Sequence, residues 1–266
     1  MPELPEITVL ARDMQRELVG RVIGGVEVLQ PKCLNMPVAE FREALGGAEI
    51  LEVRPHGKWV QVETSRGWLL FNLGMGGEIL LTDRDSLPEK YRLIIDLQDG
   101  ASLAVNFWWL GHAHFVADMA DHPMTARLGP NALDLSPDDF RALLSGRRGG
   151  IKSFLLNQKN LAGIGNVYVQ DPLFKSRLHP LRPISTLRDD EVNALYHALR
   201  GTLEESIELG GSEWEMGLHG EKGRWGRPHF QVAYREGEPC PVCTTAVEKI
   251  RTGSTHTHIC TSCQQE

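Results

Sequence analysis

Four cysteines near the end of the chain, Cys240-x2-Cys243 and Cys260-x2-Cys263, constrain its fold more than any other feature. Two Cys-x-x-Cys knuckles separated by sixteen residues match the spacing of a tetrahedral metal site, and four thiolates leave no coordination position open. The pattern therefore points to one structural zinc ion and not to a catalytic metal. Pro239 and Pro241 stiffen the first knuckle, and the spacer is long enough for a β-hairpin. His256 and His258 fall within that hairpin and read as surface residues more readily than as alternative ligands. The fifth cysteine, Cys33, reads as a small buried hydrophobe.

This cysteine usage argues against a disulfide framework and for a reducing compartment. The first twenty residues carry Glu3, Glu6, Arg12, Asp13, Arg16 and Glu17, unlike a signal peptide. No apolar run approaches the roughly 18 residues that would span a membrane. A cytoplasmic monomer with no membrane partner is expected, in a bacterial cytosol or nucleoid.

The net charge of −7 counts against a polyanionic partner at first sight. Its distribution softens the objection. Residues 147–182 hold Arg147, Arg148, Lys152, Lys159, Lys175, Arg177 and Arg182 against Asp171 alone among the acidic residues. A patch of this kind can bind a polyanion despite an acidic total. A solvated basic face is the plainer reading, and charge alone does not separate the two.

The apolar periodicity divides the chain. Ile7, Leu10, Ala11, Met14 and Leu18 predict an amphipathic helix over 5–19, with Pro5 in its first turn and Gly20 beyond its end. Short apolar or alternating runs at 22–29, 48–54, 58–63, 67–73, 77–82, 91–97 and 101–107 predict strands of a sandwich or barrel-like sheet pair, with a short helix near 38–45. Helices follow near 137–145, 151–158 and 165–176, the first opened by Ser136-Pro137. Thr186-x-x-Asp189 resembles a capping box at the start of a long helix to about 209. The stretch 210–229, rich in Gly and charge, reads as a mobile loop.

The opening Met1-Pro2-Glu3-Leu4-Pro5-Glu6 carries its own chemistry. Removal of Met1 exposes the secondary amine of Pro2, whose pKa should lie near that of an α-amino group, roughly 7.7–8.0. Such an amine can attack an aldehyde-like carbon and form a Schiff base. Many chains begin Met-Pro by chance, and the opening alone does not choose.

Taken together, these pieces resemble the formamidopyrimidine-DNA glycosylase and endonuclease VIII family over nearly the whole chain. Arg54-x-x-Gly57-Lys58 looks like the family's catalytic-domain lysine segment. Asn72-Leu73-Gly74-Met75-Gly76-Gly77 is similar to its His-Leu-Gly-Met-Ser-Gly loop. The run from Asn157 to Tyr168 resembles its helix–two-turns–helix, and Gly237-Glu238-Pro239-Cys240 enters the finger as that family does. The resemblance implies a multi-domain α+β protein. An N-terminal β-sandwich with an N-terminal helix spans 1–125, a helical helix–two-turns–helix domain 126–230, and a zinc-finger β-hairpin 231–266.

It also implies base excision on damaged DNA. Pro2 would attack C1′ of a flipped nucleotide, Glu3 would move protons and steady the opened ribose, and Glu6 would support the helix N-terminus. Lys58 would hold a phosphate beside the lesion, and Asn166 with the Gly163-Ile164-Gly165 backbone another. Met75 and Leu110 would fill the void left by the base. The implied activity is a bifunctional glycosylase and abasic-site lyase. The alternatives are a damage-recognising DNA-binding protein without glycosylase activity and a specialised glycosylase for bulky, crosslinked or abasic lesions.

Three departures leave the substrate open. The family's finger arginine, five residues before the third cysteine, is here Thr255, so Arg251 or His256 would have to supply the cation. The arginine that reads the opposite base is replaced by Trp108, followed by Trp109; Trp can stack but cannot make the same bidentate contact. For Trp108 stacking and core packing are both open, and for Trp109 core packing is preferred. The overall acidity implies weaker binding to intact duplex. Trp214, Met216 and Trp225 either line a base pocket or pack.

Overall fold

The computed structural model describes residues 1–265. The chain forms two compact units, residues 1–127 with 209–224, and residues 128–208 with 225–266. Segment 209–224 groups with the first unit and the finger with the second.

The first unit opens with α1 (Leu4–Leu18). Pro5 sits in its first turn, where the missing N–H has no partner to lose, and Gly20 beyond its end takes φ of +84°. The five apolar positions of its helical stripe are all buried. After α1 come β1 (Ile23–Val28), α2 (Val38–Leu45), β2 (Ile50–His56), β3 (Trp59–Thr64), β4 (Gly67–Asn72), β5 (Glu78–Asp83), β6 (Leu93–Leu97), β7 (Ala101–Asn106) and β8 (His112–Val116). They make two antiparallel four-stranded sheets, β1-β6-β7-β5 and β2-β3-β4-β8. Ile23, Ile95 and Val105 of one sheet share a core with Val60, Phe71 and Phe115 of the other, and α1 and α2 pack into it. The expected sandwich is present.

Strand β8 is the one the periodicity did not predict, because two histidines mask its alternation. Ala113 and Phe115 point into the core, while His112 and His114 lie on the opposite face beside the Trp59 ring. Burial pushes the His114 imidazole down to about 4, aided by the neighbouring His112 and His122, so it is neutral at ordinary pH. Cys33 is buried as read, and burial raises its thiol to about 11.

The stretch 210–229, read as a mobile loop, is tied to the rest of the first unit over residues 212–219. Ser212 N–H donates to Glu6 Oε1 (3.0 Å), Leu81 N–H donates to the Leu218 carbonyl (2.8 Å), and Leu218 is wholly buried. His219 Nε2 lies 2.9 Å from Glu17 Oε1. These ties join residues far apart in sequence, so local composition could not reveal them.

The second unit begins with α3 (Pro137–Leu144), α4 (Ile151–Leu156), α5 (Gln170–Lys175) and α6 (Asp189–Glu208). Ser136 caps α3 by accepting the Asp139 N–H, and the Asp139 carboxylate accepts the Ser136 N–H in return. The box read at Thr186 is absent. The Thr186 hydroxyl donates to the Pro183 carbonyl, and Glu191 instead accepts the N–H of Arg188 (2.9 Å). Helix α5 is shorter than its apolar pattern because residues 157–169 run mainly as turns. Gln158 stitches them, accepting from Gly163 N–H (2.9 Å) and donating to the Ile164 carbonyl (2.7 Å).

The finger hairpin pairs β9 (Glu248–Thr252) with β10 (Thr255–Ile259). The buried Asp171 carboxylate anchors the chain leading to it by accepting the N–H groups of Gln231, Val232 and Ala233 at 2.9–3.0 Å. Trp225 is buried in this unit with its ring stacked on Tyr168, 4.5 Å between centroids, so it packs. His258 is also buried, its Nδ1 3.0 Å from Gln170 Oε1, and does not lie on the surface as read.

Candidate active site

In the first unit the N-terminus, the β2–β3 turn and two neighbouring loops carry the expected residues. Glu3 is the N-cap residue of α1 and is 4 % exposed. Its N–H donates to Glu6 Oε2 at 2.8 Å, and the Ile7 N–H returns to the Glu3 carbonyl at 3.1 Å. Glu6 thus joins two parts of the unit, holding Glu3 through one oxygen and Ser212 through the other. The positive end of the α1 macrodipole falls on Glu3 and favours negative charge there. Pro2 precedes it and is buried. With Met1 attached, the terminal ammonium lies 3.1 Å from Glu215 Oε1, also in the first unit.

Lys58 sits in a two-residue turn between β2 and β3, where His56 pairs with Trp59. Gly57 takes φ of +59°, a conformation that Gly adopts without steric cost. The turn is held from outside by Asn72, a residue the sequence motif included without a role. Its Nδ2 donates to the Lys58 carbonyl (3.1 Å), and its Oδ1 accepts the Gly74 N–H (3.1 Å). One amide therefore links the Lys58 turn to the loop that carries Met75.

Met75, Trp108 and Leu110 are exposed together on the first unit, by 49 %, 67 % and 70 %. Trp109, for which core packing was preferred, is 65 % exposed instead. The buried ring in this loop is Phe107, which occupies the only inward position and turns both indoles out. Trp214 and Met216 are also exposed, on the segment that Glu6 ties down.

In the second unit the decisive residue is Lys152, which the charge count had placed in a surface patch. It is 1 % exposed. Its Nζ donates within 2.6–3.0 Å of Thr257 Oγ1, Asn166 Oδ1, Thr255 Oγ1 and Thr252 Oγ1, with the His256 carbonyl at 3.4 Å. Burial pushes the ammonium down to about 8, which leaves it largely charged at neutral pH. Thr255, which stands where the family's finger arginine would be, is thus an acceptor for a lysine arriving from α4. Arg251 is exposed on β9 opposite His256, its Nε donating to the Gly253 carbonyl at 3.2 Å. Neither Arg251 nor His256 enters the cluster around Lys152 with its side chain.

The four finger cysteines converge. Their sulfurs all lie within 4.8 Å of one another, with pairs at 3.4, 3.6 and 3.9 Å. A tetrahedron with Zn–S near 2.3 Å has sulfurs about 3.8 Å apart. The donor set and its spacing fit one zinc ion with no open position.

No helix among the described residues is long and apolar enough to cross a membrane. Residues 1–106 match the family model described as formamidopyrimidine-DNA glycosylase N-terminal domain, residues 128–216 the formamidopyrimidine-DNA glycosylase H2TH domain, and residues 237–265 the zinc finger found in FPG and IleRS. The chain is 34 % identical to a formamidopyrimidine-DNA glycosylase of Chloroflexus aurantiacus, covering 99 % of this chain and 98 % of that protein. It is equally similar to one from Paracoccus denitrificans, with both chains fully covered. Among solved structures it resembles the Lactococcus lactis Fpg protein bound to a Fapy-dG-containing DNA, with 26 % identity, TM-score 0.88, and 99 % and 100 % of the two chains covered. A MutM complex with carbocyclic 8-oxo-G-containing DNA is similar at 27 % identity, TM-score 0.88 and full coverage of both.

Proposed function

The chain belongs to the formamidopyrimidine-DNA glycosylase family and is a DNA-repair glycosylase; from this premise we propose that it is bifunctional, excising damaged bases and then cleaving the abasic strand through a Schiff base on Pro2. The observation that carries this reading is the burial of Glu3 at the positive end of α1, one residue after the proline.

Once Met1 is removed, the Pro2 nitrogen attacks C1′ of the flipped nucleotide, and the C1′–N bond to the damaged base breaks. The base leaves with a proton, the ribose ring opens, and an iminium joins Pro2 to C1′. Glu3 supplies and takes up protons in these steps and hydrogen-bonds the opened sugar. Loss of a C2′ proton then expels the 3′-phosphate, a further elimination expels the 5′-phosphate, and hydrolysis of the iminium frees Pro2. Lys58 binds a phosphate beside the lesion, held to its task by Asn72.

In the second unit Asn166 contributes a phosphate contact. Lys152 occupies its oxygen, which turns the amide N–H groups to the ligand. The zinc finger is structural: Cys240, Cys243, Cys260 and Cys263 hold the ion, and it takes no part in the chemistry. Each group named is supplied by one chain, so a monomer suffices.

Borohydride trapping tests the reading. Met-free protein incubated with DNA bearing an abasic site should form a covalent adduct, and acetylating the Pro2 amine should abolish it. Absence of an adduct on both abasic and oxidised DNA, with DNA binding intact, would leave a damage-recognising protein without this chemistry.

A further inference from the structure

Two loops of the first unit, residues 73–77 and 107–111, are locked to each other. Met75 N–H donates to the Trp109 carbonyl at 3.0 Å, and the two residues form an antiparallel bridge. Gly74 has φ of +60°, and a Cβ there would lie 1.9 Å from the Trp109 carbonyl oxygen. A Cβ on Gly111 would lie 2.3 Å from the buried Phe107 ring. Leu110, a non-glycine residue, is itself held at φ of +57°. Such a conformation persists only where the surroundings over-determine it.

What this frame displays is wholly apolar at its side chains, apart from two indole N–H groups. Neither loop contains a Lys, Arg, Asp or Glu. Trp108, Trp109, Leu110 and Met75 are each about half to two-thirds exposed. Indoles offer large faces and one donor each, and cannot make the bidentate contacts by which a base edge is read. They can stack on any base, because every base has a π-face.

We propose that Trp108 and Trp109 form a rigid stacking platform for unpaired bases, so that the substrate class of this enzyme is a lesion in single-stranded or locally melted DNA, with the opposite base unread. This deepens the glycosylase reading above and rests on it. Driving two indoles into intact duplex requires unstacking at base steps, whereas melted DNA has its base faces already available. The net charge of −7 and the withdrawal of Lys152 from the surface act in the same direction, since duplex presents the denser line of phosphates. Base–aromatic stacking is worth roughly tenfold or more in affinity per base.

The test uses the full zinc-loaded chain and a tetrahydrofuran abasic analogue as probe. Its affinity is measured in single-stranded DNA, in a bubble, and in duplex opposite each of the four bases. The expected result is a spread below fivefold among the four duplexes, and bubble or single strand bound at least as tightly as duplex. Trp108→Ala and Trp109→Ala should each weaken bubble binding about tenfold. In unaltered protein, 2-aminopurine opposite the probe should be quenched on binding, a readout that needs no variant to fold. A spread beyond fivefold, tighter binding to duplex than to bubble, or unquenched 2-aminopurine overturns the platform. Borohydride trapping on a natural abasic site is scored separately: its failure alone strikes the Schiff-base reading and leaves the platform standing.

Discussion

Replacing Lys152 by Met keeps the length of the side chain and removes its charge from the interior of the second unit. An ammonium has three N–H donors, so Lys152 satisfies at most three of its five oxygen neighbours at once. In the variant Thr252 and Thr257 keep their mutual 2.6 Å bond, and Thr255 keeps its bond to the Thr252 carbonyl. Asn166 Oδ1 is the acceptor that loses its charged donor, and a hydrogen bond to a charged group contributes about 1.5–3 kcal/mol. Relief of the buried charge opposes that loss, so the net cost at pH 7 should be at most about 2 kcal/mol, read by urea unfolding of the zinc-loaded protein, with amide exchange in β9 and β10 to localise it. The pH dependence is the sharper signature. The folded state releases the Lys152 proton near pH 8, while the unfolded chain holds it to about 10.5. Between those values the unfolded state binds more protons, so the native protein gains stability as pH rises, and the variant lacks this gain. The difference between the two proteins should widen from pH 8 to 9.5, by on the order of 1–2 kcal/mol. A difference that stays flat across that range would refute the buried-cation account.

Glu6→Ala removes the acceptors of Glu3 and Ser212 N–H, and should cost about 1–3 kcal/mol while amides of 211–213 exchange faster by mass spectrometry. Gly74→Ala drives a Cβ into the Trp109 carbonyl, and calorimetry should show about 1–3 kcal/mol of destabilisation, with near-ultraviolet dichroism reporting the displaced indoles. A thermally neutral Gly74→Ala would mean that the two loops are not locked. Chelation of zinc, or Cys260→Ser, should remove exchange protection from the 248–259 hairpin and leave that of the first unit's sandwich in place.

Much of the fold was legible because it rests on local rules. The α1 stripe, the Ser136 cap, the short helix at 38–45 and seven of the eight sandwich strands follow from period and turn chemistry. The misreadings share a cause. Strand β8 carries two histidines on the face beside Trp59, so its pattern looks polar although its other face is core. Segment 209–224 has a loop's composition, and residues from elsewhere in the chain, Glu6, Leu81 and Glu17 among them, hold it. Thr186 had the spacing of a cap, yet Pro183 took its hydroxyl.

The sequence by itself determined the zinc site, since four cysteines at two fixed spacings have one closed solution, and it determined the family through an ordered set of motifs. It also named Pro2, Glu3, Lys58 and Asn166 as candidates. Tertiary structure alone decided what Lys152 and the two indoles do. A lysine in a basic run and a tryptophan in an apolar run have default environments, solvent for one and core for the other, and here each takes the opposite. Lys152 can be buried because hydroxyls about a hundred residues away surround its charge. Trp108 and Trp109 are exposed while Phe107 takes the buried position of their loop, which the close approach of Gly74 to the Trp109 carbonyl ties to residues 73–77. Both outcomes depend on partners that no local window of sequence contains.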